Sequence, residues 1–408
     1  MREHAGTPEA IAPERASMIG GIWVERLVLT NFRNYGRIEL TAGPGPVVLY
    51  GPNGSGKTNL LEALSLLSPG RGLRRAAFPD LARCHAGSGG NDGMEWAVAA
   101  RVHAEDDVAE IGTGLQSTAA GGLRSDRTGR IVRIDGAQQT GSGALNFVHM
   151  LWLTPASDGL FTGPAAERRR FLDRFTSFFD AAHAVRAGHF ERAMRQRNRL
   201  LDDGARDPAR FEGLEMMMAE TGVAMAAARV EVVAALRSEM AARQTRDANS
   251  PFPWAGLELA GDLEEALANR PAVDAEDAYR ENLARYRERD RAAGRTLDGP
   301  HRTDLQVTHG PKDLPARLCS TGEQKALLVG LVLAHAEHLA RRRGGATPIM
   351  LLDEIAAHLD VERRNALYGD LLRLKTQAWL TGTDRGAFEG LENRAAFRQV
   401  FNGEVMEV

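Results

Sequence analysis

Cysteine is scarce in this sequence of 408 residues, which contains only Cys84 and Cys319. Two cysteines cannot form the disulfide framework of a small secreted protein, and these two lack the spacing of a metal site. Long apolar runs are also missing, because the longest, Ala326 to Ala334, is far shorter than the roughly 20 residues that span a bilayer. These absences favour a cytoplasmic protein that works without a membrane partner.

An excess of positive charge is missing too, since 51 Lys and Arg are balanced by 54 Asp and Glu and the net charge is −3. Proteins that hold nucleic acid constitutively are usually basic, so any such contact must be local or conditional. Residues 167–200 stand out, with nine arginines against four acidic residues, and Arg71, Arg74 and Arg75 form a second cluster. Both clusters suit phosphate contacts, although arginines on a helix are also the ordinary pattern of a solvated face.

Composition changes along the chain predict four segments. The first residues carry charges and prolines without an apolar stretch, so we expect a flexible tail instead of a secretory signal, with Met18 as an alternative native start. A later stretch rich in Ala, Arg and Glu favours helices. The expected segments are a tail at 1–20, a first α/β part with a β-subdomain at 21–165, a helical lobe or arm at 166–295, and a second α/β part at 296–408.

Within these segments the pattern predicts particular elements. The apolar run Pro46–Tyr50 is typical of a buried strand, and leucines at helical spacing predict a following helix that stops before Pro69. Short apolar segments within residues 86–145 predict β-hairpins. Asp207-Pro208 separates two long helices, of which the second covers Phe211–Gln244, and we expect the pair to pack antiparallel as an arm.

The most specific pattern is the phosphate-binding loop G-x-x-x-x-G-K-[ST], matched by Gly51-Pro52-Asn53-Gly54-Ser55-Gly56-Lys57-Thr58. Glycines let successive backbone N–H groups point at phosphate oxygens, and the helix that follows adds its dipole. We expect Lys57 to neutralise the β- and γ-phosphates and Thr58 to bind Mg²⁺. The strand before the loop and the helix after it argue against a mere glycine-rich turn.

A second buried-strand run ends in the acidic pair Asp353-Glu354. Asp353 is the expected Mg²⁺ ligand, and Glu354 is the expected residue that polarises the attacking water. Alone, the pair is also the pattern of an acidic loop after a core strand. Beside a phosphate loop, the catalytic interpretation is favoured.

The segment Ser320–Lys325 has the capping-box pattern S-x-x-E between Ser320 and Glu323, which predicts a helix start. With Gly322 beside it, this helix start is also an anion site that fits the γ-phosphate of ATP held by another subunit. Asp360, shortly after the acidic pair, is either part of a subunit contact or the N-cap of the next helix.

Together these motifs resemble the RecF family of DNA recombination and repair ATPases. They occur in the family's order from about residue 22 to residue 384. The segments that carry the resemblance are Asn31–Tyr35, Gly51–Ala63, Ser68–Arg71, Gly163–Asp173, Asp298–Arg302, Ser320–Lys325, Asp353-Glu354 and Leu359-Asp360.

The resemblance implies an α/β ABC-type ATPase head, related to structural-maintenance and Rad50 proteins, with a P-loop core, an antiparallel β-subdomain and an inserted helical lobe. In such a head, ATP and Mg²⁺ are sandwiched between two copies, the dimer holds DNA, and slow, DNA-stimulated hydrolysis releases it. The implied catalytic residues are Lys57, Ser320, Asp353 and Glu354. The implied ATP contacts are residues 51–58, Asn59, Ser320, Gly322, Gln324 and Asp360, and the candidate DNA contacts are Arg71, Arg74, Arg75, Arg168, Arg169 and Arg170.

The resemblance also implies a cellular setting. It predicts action with RecO and RecR at single-strand gaps, support of RecA loading and of the SOS response, and a cytoplasmic location at the nucleoid. Two features depart from ABC transporters. No histidine follows Thr381, where transporters carry a switch histidine, so hydrolysis should be slow. The Q-loop candidates, Gln138 and Gln139, have a spacing that does not fit well.

Three other classes of protein share part of this pattern. A transporter subunit has the loop and the acidic pair, but it needs a membrane partner and lacks an Arg-rich helical insertion. A Rad50-like tether needs hundreds of heptad residues, whereas about 300 residues separate Lys57 from Asp353 and most of them show no heptads. A DNA-binding module without enzyme activity would ignore ATP.

Overall fold

The computed structural model describes residues 21–83, 95–104, 107–115, 130–139 and 148–407. The expected tail at 1–20, the alternative start Met18 and Cys84 lie outside the described residues, as do parts of the hairpin region. The strands are β1 (Trp23–Phe32), β2 (Tyr35–Thr41), β3 (Val47–Tyr50), β4 (Trp96–Ala104), β5 (Asp107–Leu115), β6 (Ile131–Ile134), β7 (Ala137–Gln139), β8 (Met150–Leu153), β9 (Ala255–Ala260), β10 (Asp304–His309), β11 (Leu314–Pro315), β12 (Ile349–Leu352), β13 (Ala378–Gly382), β14 (Ala396–Phe401) and β15 (Glu404–Glu407). The α-helices are α1 (Lys57–Ser65), α2 (Ala165–Phe179), α3 (His183–Asp202), α4 (Ala209–Arg246), α5 (Asp262–Asn269), α6 (Ala272–Arg285), α7 (Arg287–Ala292), α8 (Thr321–Arg342) and α9 (Val361–Leu374).

The first sheet is antiparallel, with the strand order β2-β1-β4-β5-β6-β7. Its strands have one buried face, as β4 illustrates: Trp96, Val98, Ala100 and Val102 are buried, and the residues between them are exposed. The hairpins predicted from the Gly-rich region are therefore confirmed within the described residues.

The second sheet has the order β15-β14-β3-β13-β12-β8, and all neighbouring pairs except β14 and β15 are parallel. Its strands β3 and β12 are short, apolar runs because they are covered on both faces. The carboxyl ends of parallel strands meet at one edge, so the segments that follow β3, β8, β12 and β13 converge there.

The long helices α3 and α4 pack side by side and antiparallel, as expected. Arg197 of α3 binds Glu215 of α4, while Phe190 lies beside Gly222, about two turns further along α4. The helices are separated at Asp207-Pro208, and α4 runs for 38 residues without a break. These two predictions are confirmed, whereas the division of the chain into four segments stays a prediction.

The expectation that the stretch rich in Ala, Arg and Glu is helical is wrong at β9. This strand pairs antiparallel with β10, with Leu257 opposite Val307, and its residues Ala255 and Leu257 are buried. The pairing partner lies almost fifty residues downstream, so local composition could not indicate it. Here tertiary pairing overrides helix propensity.

His335 occupies the centre of the buried helix α8. Its ring stacks on Phe175 with 3.9 Å between ring centroids, and neither ring nitrogen has a hydrogen-bond partner. Burial, together with the positive charge of Arg174 and the neighbouring histidines, holds the pKa of His335 well below its ordinary value of 6.5. The folded chain therefore keeps this imidazole neutral.

Acidification should destabilise the fold through His335. In the unfolded chain the imidazole takes up a proton near its ordinary pKa, whereas in the folded chain it stays neutral. The free energy of unfolding is therefore unaffected above that pH and falls below it. At about pH 5.5 the loss should be about 1 kcal/mol. Between about pH 7.5 and about pH 5.5, denaturant unfolding should show that the free energy of unfolding falls by about 1 kcal/mol less in His335→Leu than in the parent. An unchanged pH dependence would contradict this assignment.

Candidate nucleotide-binding site

The phosphate loop connects β3 to α1 and uses its glycines for different reasons. Gly51, Gly54 and Gly56 have φ angles of 150°, 78° and 117°, which favour glycine. A Cβ atom on Gly51 would lie 2.1 Å from the carbonyl oxygen of Val400, and one on Gly56 would lie 2.4 Å from the hydroxyl of Tyr35. Backbone conformation and close packing therefore both require the pattern that the sequence shows.

Lys57 is buried inside this loop. Its Nζ atom donates hydrogen bonds to the carbonyl oxygens of Gly51 at 2.7 Å and Pro52 at 2.9 Å. Burial lowers the pKa of Lys57, while the carboxylates of Glu354 and Asp353 act in the opposite direction. The ammonium group is thus held at the loop, close to both acidic residues that the sequence singled out.

A chain of hydrogen bonds joins the loop to the acidic pair. The hydroxyl of Thr58 donates to Oδ1 of Asp353 at 2.9 Å, and the hydroxyl of Thr381 donates to the same oxygen at 2.8 Å. Thr381 also accepts a 2.9 Å bond from the backbone N–H of Glu354, whose φ is 55°. A hydroxyl and a carboxylate oxygen are donors that Mg²⁺ prefers, so the residues present fit this ion.

Sequence reasoning missed Thr381 as a site residue. It is fully buried at the end of β13, the strand that lies between β3 and β12. The available signal was its place at the end of a predicted core strand, because the ends of neighbouring parallel strands share one edge.

The Q-loop candidates, whose spacing did not fit well, lie away from the phosphate loop. Gln138 and Gln139 are exposed in β7, the outermost strand of the antiparallel sheet, and the described contacts link neither residue to the phosphate loop. The strand that does reach the nucleotide edge is β8, since the backbone N–H of Asp353 donates to the carbonyl of Leu153 at 2.9 Å. Thr154 is the first residue after that strand.

A buried carboxylate supports the loop from α1. Glu62 is fully buried, and both of its oxygens accept hydrogen bonds from Arg33 at 2.8 and 2.9 Å. Arg74 lies 3.5 Å from the same carboxylate and also donates to the side-chain oxygen of Asn59. Asn59 in turn donates to Asn34. These contacts explain why the Asn31–Tyr35 motif accompanies the phosphate loop.

Replacing Glu62 with glutamine should destabilise the folded chain by about 2 kcal/mol, because it removes the buried negative charge that binds the half-buried guanidinium of Arg33. Glu39→Gln is a matched control, since Glu39 pairs with Arg26 on the exposed face of the β1–β2 hairpin. Denaturant unfolding should show a clear loss for the first variant and little change for the second. Equal effects would show that the Glu62 pair is no more important than a surface pair.

The segment at the start of α8 has the predicted capping box. The backbone N–H of Ser320 donates to Glu323 at 2.9 Å, and Ser320 Oγ accepts a 3.4 Å bond from the backbone N–H of Glu323. The ammonium group of Lys312 beside it lowers the pKa of Glu323 to about 2. Ser320 and Gly322 are exposed, so this helix start is open to an approaching partner.

Two other residues expected to contact nucleotide have structural roles. Gln324 is buried and its amide donates to the carbonyl of Cys319 at 2.8 Å, which supports the turn before α8, and its contact with ATP stays a prediction. Asp360 accepts a 2.8 Å bond from the backbone N–H of Arg363, which confirms the N-cap interpretation. Its part in a subunit contact stays a prediction.

Half of the candidate DNA contacts are used inside the fold. Arg168 makes a bidentate pair with Asp304 at 2.7 and 2.9 Å, and Arg169 donates to the carbonyl of Thr303 at 2.8 Å. Arg74 holds α1, as described above. The guanidinium groups of these three residues therefore position elements of the fold, and their contact with DNA stays a prediction.

The other three candidate DNA contacts have guanidinium groups that a ligand could reach. Arg71, Arg75 and Arg170 are exposed and line one cavity. Within α3 the arginines also differ: Arg197 is fully buried and binds Glu215 and Asp290. The exposed arginines of α3 recur every three or four residues, as expected for one helix face. They are Arg192, Arg195 and Arg199.

Comparison with known proteins identifies the family. The family described as RecF/RecN/SMC N terminal domain matches residues 23–404. A "DNA replication and repair protein RecF" from Mesorhizobium japonicum is 53% identical over 383 residues, which cover 94% of this chain and 97% of that protein. The protein of the same name from Brucella suis is 51% identical over 398 residues, covering 96% and 97%.

The chain belongs to the RecF family. Solved structures agree on the fold: a structure of the recombination mediator protein RecF with ATP, in the RecFOR pathway, superposes with a TM-score of 0.80 at 21% identity and covers 96% of this chain and 98% of that one. An Smc head domain from Pyrococcus furiosus gives a TM-score of 0.51 at 15% identity, covering 95% and 96%. The predicted ABC-type ATPase head is thereby confirmed. Within the ranges that the structure describes, no helix is both long and apolar enough to cross a bilayer.

Proposed function

We propose that this chain is an ATP-dependent DNA-binding protein of replication and recombinational repair, in which ATP joins two copies into a clamp around DNA and slow hydrolysis opens it. The observation that carries the proposal is the hydrogen bond between Thr58 and Asp353, which joins phosphate loop and acidic pair in one site. The family relationship supports the same role.

The residues of the site divide the chemistry among them. Lys57 would neutralise the β- and γ-phosphates, and Thr58 and Asp353 would hold Mg²⁺. When bound, Mg²⁺ neutralises charge on the phosphate oxygens. Glu354 would accept a proton from the attacking water, and Thr381 would fix the backbone beside it. The ATPase activity should be weak and DNA-stimulated.

Dimer formation is supported by the surface around the segment Ser320–Lys325. Leu314, Leu318 and Val361 are apolar yet 42%, 61% and 62% exposed, and they lie near Ser320 and Asp360 in the chain. Arg363 links the two motifs by donating to the carbonyl of Gly322 at 3.3 Å. In a head-to-tail dimer, Ser320 and Gly322 would meet the γ-phosphate held by the other copy, so ATP would favour the closed state.

Such a dimer would bind DNA because it brings together the locally positive surfaces of two copies. Each copy presents the exposed arginines of α3, although its net charge is −3. Two copies would place two arginine surfaces along one duplex, and binding should be nearly independent of base sequence and steeply dependent on salt. By family resemblance we also propose RecO and RecR as partners at single-strand gaps, support of RecA loading and the SOS response, and a cytoplasmic location at the nucleoid.

Replacing Ser320 with arginine should prevent closure without changing ATP binding by the single chain, because a large cation would occupy the contact surface. Asn269→Arg, at the exposed end of α5, introduces the same side chain elsewhere. Light scattering with Mg-ATP should show dimers for the parent and for Asn269→Arg, and monomers for Ser320→Arg. Dimers of Ser320→Arg at the parent's affinity would argue against this contact.

A further inference from the structure

A cavity of about 800 Å³ lies beside the phosphate-loop helix. One wall is the segment 68–75, which follows α1, and the opposite wall is formed by α2 and the first turns of α3. Trp152 and Thr154, at the end of β8, close a third side. None of these lining residues takes part in the nucleotide contacts described above.

Four arginines line this cavity: Arg71, Arg75, Arg170 and Arg174. The guanidinium of Arg174 lies over the ring of Trp152 at 4.4 Å from its centroid, and its Nε atom is buried without a hydrogen-bond partner. Partial desolvation at the cavity wall and the charges of Arg170 and Arg71 lower the pKa of Arg75. These cations are therefore close enough to repel one another.

The acidic residues of the cavity do not balance this charge. Glu167 lies 3.9 Å from Arg170, and Glu191 acts on Arg75. Asp173, the third acidic residue in the lining, is already paired with a buried arginine and a histidine of the helical segment. A surplus of guanidinium groups remains, including one with an unused buried donor.

We propose that this cavity binds a phosphate group. Guanidinium groups match phosphate oxygens in geometry and charge, and several on different walls can surround one phosphate. The phosphate can come from DNA, in which case the inference rests on the proposed function, or from a free phosphate compound. Arg192 adds another guanidinium group next to the cavity, because its Nη1 atom lies beside Gly188 in the cavity wall.

The walls connect the cavity to the ATP site. The segment 68–75 continues directly from α1, and Arg130 fastens it to the antiparallel sheet by donating to the carbonyl of Gly70 at 2.7 Å and to the hydroxyl of Thr113 at 2.7 Å. On the other side, Thr154 follows Leu153, whose carbonyl accepts the backbone N–H of Asp353. A phosphate held in the cavity would thus contact two segments that both lead to the nucleotide.

The test uses the full chain with Arg75→Gln and Arg170→Gln together, because both side chains are exposed and their loss should be tolerated. Arg101→Gln is the control, since Arg101 pairs with Glu110 on the antiparallel sheet away from the cavity. In the presence of Mg-ATP, the dependence of duplex affinity on salt should have a slope shallower by about two for the double variant. The control should keep the parent's slope.

A second measurement separates the two sources of phosphate. Lys57→Ala removes the main phosphate contact of the loop, and calorimetry then measures pyrophosphate binding to the rest of the chain. We expect binding that falls at least about tenfold when Arg75→Gln and Arg170→Gln are added, and that persists with Arg101→Gln. A change in the DNA slope alone assigns the cavity to DNA phosphate, and a change in pyrophosphate binding alone assigns it to free phosphate compounds. If neither the DNA slope nor pyrophosphate binding changes, the proposal is overturned. If the parent chain fails to bind DNA, the proposed function is overturned, but the pyrophosphate result remains valid.

Discussion

Replacing Lys57 with methionine should weaken ATP binding by at least about 100-fold, because two or more charge-assisted hydrogen bonds of about 1.5–3 kcal/mol each would be lost. Methionine keeps the length and the apolar stem of the side chain, so the buried packing should survive. Lys57→Ala should give the same result. Titration with a fluorescent ATP analogue at low protein concentration measures the affinity of the single chain.

Lys375→Met is the matched control for this prediction. Lys375 is exposed at the end of α9, with a φ of 51°, and methionine is as unbranched as the lysine it replaces. This variant should bind ATP as the parent does. Unchanged nucleotide affinity in Lys57→Met, with a normal unfolding transition, would refute the phosphate-loop assignment.

Replacing Glu354 with glutamine should lower the rate of ATP hydrolysis by about 10²–10⁴-fold and leave ATP binding intact. Glutamine has the same shape but cannot accept the proton of the attacking water. Its backbone should stay in place, since the N–H of residue 354 is held by Thr381. The ATP-bound dimer should therefore accumulate, and single-turnover kinetics with size-exclusion chromatography would measure both effects.

Glu362→Gln controls for the loss of one negative charge nearby, because Glu362 is exposed in the first turn of α9. Its hydrolysis rate should match that of the parent. Rapid turnover by Glu354→Gln would remove Glu354 from the role of general base and would direct attention to another group at the same edge.

The nucleotide site was largely predictable from sequence because its residue types are fixed by local chemistry. A loop that must present backbone N–H groups needs glycines. Asp353 directly follows a buried parallel strand, so it must lie at the edge of the sheet where the carboxyl ends of the strands meet. The capping box at Ser320 is likewise a short-range pattern. Thr381 escaped prediction because its importance comes only from parallel pairing of β13 with β3 and β12.

The arginines show the limit of prediction from composition. Arg170 and Arg168 are two residues apart and equally basic, yet Arg170 lines a cavity and Arg168 binds Asp304, 136 residues away. Asp304, which binds Arg168, is the first residue of β10, and no pattern in the sequence around Arg168 indicates this pairing. The strand β9 was missed for the same reason, since its partner is distant in the chain.

In the proposed mechanism, ATP joins two copies, and the pair, not the single chain, holds DNA. Sedimentation velocity of the parent chain, with and without saturating Mg-ATP and a duplex oligonucleotide, tests it most directly. We predict a monomer without nucleotide, a dimer with Mg-ATP, and co-sedimentation of duplex with the dimer alone. A boundary that remains monomeric under every condition, or a monomer that carries the duplex without ATP, would contradict the account.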